Sequence, residues 1–92
     1  MIRFRPEAVD DLANILTWYR DYPGRAERFE RSLDETFAIL ESSPLAFQIL
    51  DPPDIRLAPL RKFPQGVVYV VVGDDVDVLA IFDGRRKPAT WK

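Results

Sequence analysis

The residues best equipped for chemistry in this sequence cluster near its C-terminal end, as Asp83, Gly84, Arg85, Arg86, Lys87, Pro88 and Trp91. They follow a strand-like run, Val76 to Phe82, that would hold them in place. Gly84 permits backbone conformations other residues resist, and Pro88 cannot donate to a ladder, so pairing is expected to stop by that point. Two successive arginines just past a strand end are anchored yet reach solvent. Such guanidinium forks suit bidentate recognition of phosphates or carboxylates. The same residues equally suit a solvated strand end with Trp91 folded back over the core. Residue types alone leave both open.

What is missing narrows the chemistry. There is no cysteine and no histidine. Disulfides, thiol catalysis, histidine general bases and Cys- or His-ligated metal are therefore excluded within this chain. No cofactor or metal is expected. Any reaction must draw on Arg, Lys, Asp, Glu, Tyr or backbone groups. The net charge of −2 hides a split: residues 1–54 carry six Lys and Arg against eleven Asp and Glu, and residues 55–92 carry seven against four. A sequence-independent nucleic-acid binder is usually basic overall, and this chain offers only a local basic face.

At 92 residues and 47% hydrophobic, one globular domain with one core is expected over 1–92. No signal-peptide pattern opens the sequence, and no apolar run approaches the ~18–20 residues of a membrane helix. A soluble, cytoplasmic protein without membrane contact is the expectation.

Several elements must position the cations. Ile2 to Arg5 alternates apolar and basic, a short strand. Pro6 suits a helix start, with Glu7, Asp10 and Asp11 in the early turns favourable to the dipole. Ala8, Leu12, Ile15, Leu16 and Tyr19 form its apolar face, and Asp21-Tyr22-Pro23-Gly24 breaks it. A second helix is predicted over 25–41, with Ala26, Phe29, Leu33, Phe37 and Leu40 at a 3.6 period and a charged outer face. The short connection makes an antiparallel helical hairpin.

Asp51-Pro52-Pro53-Asp54 reads as a loop. Ile55 to Leu60 reads as a strand, with Pro59 marking a bulge or edge. Arg61 to Gly66 is a bend, Val67 to Val72 a central strand buried on both faces, and Gly73-Asp74-Asp75 a turn into Val76 to Phe82. The fold class is therefore α+β, in the order β-α-α-β-β-β. The helical hairpin packs on one face of a small, mostly antiparallel twisted sheet.

That order, with the tail, resembles the RelE/ParE superfamily of toxins from type II toxin–antitoxin modules. The first helix carries A-x-x-D-L-x-x-I at Ala8, Asp11, Leu12 and Ile15, then Tyr19. The second carries A-x-x-F-x-x-x-L at Ala26, Phe29 and Leu33, closing on Ser43-Pro44. Arg61-Lys62-Phe63-Pro64 is similar to the family's R-x-F-P bend, before an apolar strand with Tyr69. Leu79-Ala80-Ile81 leads to Gly84-Arg85-Arg86-x-Pro88 and Trp91, similar to the family's H-G-R-R-x-P-x-x-W ending.

The resemblance implies a toxin, of the kind found in plasmid stabilization modules, neutralised in a hetero-oligomer by a cognate antitoxin. Trp18 and Tyr19 are its candidate antitoxin contacts, although Tyr19 and Tyr69 also read as core residues with hydrogen-bonded hydroxyls. ParE-like members inhibit DNA gyrase by protein contact, which would place the target-binding face on Arg85, Arg86, Lys87 and Trp91.

RelE-like members are mRNA interferases that cut mRNA on the ribosome. That alternative would use Arg56 with Arg61 or Lys62 for phosphate, and Arg85 or Arg86 for transition-state charge. Trp91 stands where such an enzyme has tyrosine, and indole is no practical acid or base. Asp83 replaces the family's histidine and would repel phosphate. Those departures favour the ParE branch. A relative that has lost toxicity and acts only as a binding partner is a further alternative. Structural roles compete too: Arg56 pairing with Asp54 or a helix carboxylate, and Asp83 holding Arg85 or Arg3.

Overall fold

A computed structural model, describing residues 1–83, runs β1 (Ile2–Phe4), α1 (Pro6–Tyr19), α2 (Arg25–Ser42), β2 (Ile49–Asp51), β3 (Ile55–Pro59), β4 (Gln65–Val72) and β5 (Asp75–Asp83). The sheet order is β1-β5-β4-β3-β2, antiparallel except where β1 runs parallel to β5 through Ile2–Val76 and Phe4–Val78. The expected α+β order holds, with β2 added. Three residues with Ile49 and Leu50 both exposed leave no alternation for a sequence pattern to reveal.

Pro6 opens α1 at its first turn, where its missing N–H costs nothing. Gly24 precedes α2 in the left-handed region, at φ 72°, which explains why a glycine closes the interhelical turn. The predicted apolar faces meet the sheet: Ala8, Tyr19, Ala26, Phe29, Leu33 and Leu40 join Val67, Tyr69, Val76, Val78 and Ile81 in one cluster. A smaller cluster of Val68, Leu79 and Ala80 lies apart from it, with Ile55, Leu57, Val70 and Phe82 packed against it.

Two details depart from the expectation. Val67 to Tyr69 are fully buried, but burial fades along β4 until Val72 is exposed. In β5 the register slips between Val68–Ala80 and Tyr69–Val78, so Leu79 is an extra residue. That bulge lets both Val78 and Ile81 reach the helix-side cluster although they are three residues apart. Pro59 ends β3 opposite Gly66, beyond the last residue that β2 pairs, so its absent donor leaves no gap in that ladder.

The charged outer face of α2 is exposed as expected, but among the described residues no ion pair joins its charges. Arg3 instead pairs with Asp75 at 3.1 Å. Among the described residues, no helix is long and apolar enough to cross a membrane.

The flank of β5 past β1 is covered by α1. Arg5 N–H reaches Val78 O at 2.9 Å, and further along the Asp11 carboxylate accepts Ile81 N–H at 3.0 Å. Burial pushes the Asp11 carboxyl above its ordinary value; the Ile81 bond opposes the rise, while Asp10 and Glu7 add to it. The folded chain therefore holds this proton more tightly than the unfolded chain. Its contribution to stability is greatest below the unfolded pKa and declines as pH rises through the folded one. Asp11→Asn keeps an acceptor for Ile81 and removes the partly buried charge. In paired thermal melts it is expected to exceed the native Tm at pH 7, with the advantage vanishing below about pH 4.

Candidate functional site

At the end of α1, three aromatic residues take different roles. Trp18 and Tyr22 are 43% and 46% exposed, with ring centroids 5.7 Å apart in an edge-on pair. The Arg25 guanidinium stands 5.6 Å from the Tyr22 centroid, within cation–π range. Trp, Tyr and Arg are the residue types that dominate binding at protein interfaces. This is an exposed aromatic-basic corner on the helical hairpin.

Tyr19 corrects the expectation that it shares this surface. It is 1% exposed, packed against Phe29 at 5.4 Å and Phe63 at 5.6 Å between ring centroids. The helical turn that leaves Trp18 outward sends its neighbour to the core. Gln65 Nε2 donates to the Tyr19 hydroxyl at 2.9 Å and to Asp83 Oδ2 at 3.3 Å. Tyr19 therefore supports the corner from beneath, and Gln65 ties it to the end of β5. Asp83 does not hold Arg3, whose partner is Asp75.

Of the described cations expected near a phosphate, Arg56 is set apart from Arg61 and Lys62. Arg56, opposite Tyr69 in the β3–β4 register, turns its guanidinium to main-chain carbonyls: it donates to Phe47 O and, at 3.3 Å, to Leu45 O. This corrects its pairing with Asp54 or a helix carboxylate. Tyr69 shares that role, donating its hydroxyl to Pro44 O at 2.6 Å. Burial pushes the Tyr69 phenol up, against a downward pull from Arg56. Both side chains thus fasten the segment after α2 to the sheet. Arg61 and Lys62 instead line a cleft of about 350 Å³ with Arg28, Arg31, Ser32, Glu35 and Phe63.

Among the described residues, no group of three or more His, Cys, Asp or Glu is placed to hold a metal ion. Arg85, Arg86, Lys87 and Trp91 lie outside the described residues.

Comparison with known proteins decides the family. The model for the ParE toxin of type II toxin–antitoxin systems, parDE, matches residues 2–88. The chain belongs to the ParE toxin family. Among solved structures, one described as the chromosomal ParDE TA system from P. aeruginosa is similar in fold, with TM-score 0.73 and 20% identity. The match covers 89% of this chain and 92% of that one. Among curated proteins none matches significantly.

Within this ParE toxin the family match runs through Arg85, Arg86, Lys87 and Pro88, whereas Trp91 lies past its end. Sequence reasoning missed Tyr22, Ser32 and Gln65. Tyr22 sits in a helix-breaking stretch that carries no face. Ser32 and Gln65 are buried polar residues whose partners, Arg61 O and Tyr19, lie 29 and 46 residues away. No local signal marks such partners.

Proposed function

We propose that this ParE toxin acts by protein–protein contact with DNA gyrase through Arg85, Arg86, Lys87 and Trp91, and that a cognate antitoxin neutralises it. The observation that supports the non-nucleolytic reading is the separation, among the described residues, of Arg56 from Arg61 and Lys62. Arg56 is committed to the carbonyls of Leu45 and Phe47, while Arg61 and Lys62 line a different cleft. The RelE-type alternative needs Arg56 on the same phosphate as Arg61 or Lys62, because charge stabilisation falls off with misplacement. Gyrase inhibition by contact has no such requirement.

The antitoxin is assigned to the Trp18–Tyr22–Arg25 corner. Two exposed aromatics beside a guanidinium, backed by a rigid core, form a preorganised anchor for a partner. The family match supports such a partner without identifying it.

Induced expression in a bacterial host tests this reading. Growth arrest with filamentous cells and a DNA-damage response, relieved by co-expressed antitoxin, is the expected result. A prompt halt in protein synthesis would point to mRNA cleavage instead. Normal growth without antitoxin would reduce the chain to a non-toxic binding partner.

A further inference from the structure

Four cations converge on the cleft between α2 and the β3–β4 bend, and neither the gyrase reading nor the antitoxin corner uses them. Arg28 and Arg31 stand one turn apart on α2, Arg61 and Lys62 form the facing wall, and Phe63 and Ser32 line it. Glu35 is the one carboxylate in the lining. Among the described residues, none of the four cations makes an ion pair. Four cations against one carboxylate leave the cleft with an excess of positive charge, so an anion entering this space is favoured.

The walls are fixed. Ser32 Oγ donates to Arg61 O at 2.9 Å, joining α2 to the bend, and Leu60 N–H closes the bend on Gln65 O at 2.9 Å. Phe63 packs edge-on against Phe29 at 5.5 Å between centroids. Lys62 holds φ 66°, a left-handed conformation uncommon for a residue with a side chain. At the far end, Arg28 Nη1 lies 2.9 Å from where a Cβ on residue 24 would sit, so Gly24 leaves room for the guanidinium. The cations are carried on rigid elements, so less ordering is needed on binding.

We propose that this cleft is a binding site for an acidic peptide segment, two or more Asp or Glu side chains of a partner protein, received by Arg28, Arg31, Arg61 and Lys62. The composition decides between carboxylate and phosphate chains. A nucleic-acid strand carries a charge at every phosphodiester and no backbone N–H, so it cannot space its charges around Glu35 as a peptide can. A peptide presents carboxylates singly, and its N–H groups give Glu35 and Ser32 something to accept. This site goes beyond the toxin reading and does not rest on it.

Calorimetric titration of the purified chain tests it, using an acetylated, C-terminally amidated hexaglutamate peptide and, at matched charge, an oligothymidylate with six phosphodiesters. The peptide is expected to bind at low salt and to bind at least about tenfold more weakly to Arg31→Gln/Arg61→Gln, as lost charge-assisted hydrogen bonds require. Both positions are exposed, so the variant should keep the native melting temperature. Glu35→Gln, which removes the repelling carboxylate, is expected to tighten binding about two- to threefold. The proposal is overturned if the peptide does not bind or if the double variant binds it equally well. Tighter binding of the oligothymidylate than of the peptide overturns it in favour of nucleic acid. Gyrase and antitoxin are absent from the assay, so its outcome is independent of theirs.

Discussion

Phe29→Ala is expected to destabilise the chain by about 3–5 kcal/mol, leaving much of it unfolded at 37 °C. Phe29 is fully buried and stands between Tyr19 and Phe63, with ring centroids 5.4 and 5.5 Å away. Removing it forfeits the transfer energy of the ring and leaves a void that its neighbours, each fixed by other contacts, fill only in part. A 92-residue domain has little stability to spare. The loss should spread: Tyr19 loses its packing and Gln65 its anchored partner, so the hydrogen bond to Asp83 weakens with it. Urea denaturation followed by circular dichroism measures the cost. Ile39→Ala, on the exposed side of the same helix, should change stability by less than about 1 kcal/mol. Equal effects at the two positions would contradict this account of the core.

Trp18→Ala should weaken antitoxin binding by about 2 kcal/mol or more, roughly 30-fold, with little change in melting temperature. Trp18 is the largest exposed side chain of the hairpin, and it rests on Tyr19, at 5.0 Å, as well as on Tyr22. A wide ring supported from beneath loses little freedom when covered, which is what makes tryptophan effective at interfaces. Tyr22→Ala should act in the same direction and less than additively, because the two rings touch. Affinity for the purified antitoxin is the quantity to measure. A Trp18→Ala variant that binds as tightly as the native chain places the antitoxin elsewhere on the toxin.

The parts of this fold that were readable are those where one residue type repeats at one period. Ala26, Phe29, Leu33 and Leu40 mark the buried face of α2 without ambiguity, and Phe37 packs half-buried beside them. β5 was readable as a strand but not as a bulged one, because Val-Leu-Ala-Ile is apolar throughout and an inserted residue leaves no trace in such a run. β2 was unreadable because three residues with two exposed side chains carry no period. The site divides in the same way. Trp18 could be read as an exposed aromatic flanking an apolar face, which is where the structure puts it. Arg56 could not be assigned, since its partners are carbonyls at the end of a loop and any residue type supplies a carbonyl. The cleft between α2 and the bend required tertiary structure outright: Arg28 and Arg61 are 33 positions apart in the chain, and their elements meet through the Ser32–Arg61 bond and the Phe29–Phe63 packing.

The central claim is contact inhibition of gyrase by the basic tail, and a supercoiling assay tests it most directly. Purified, antitoxin-free protein should inhibit gyrase-driven supercoiling of relaxed plasmid, and an Arg85→Ala/Arg86→Ala variant of equal thermal stability should lose that inhibition. Folded native protein that leaves supercoiling untouched, while cleaving mRNA on programmed ribosomes, would contradict the account.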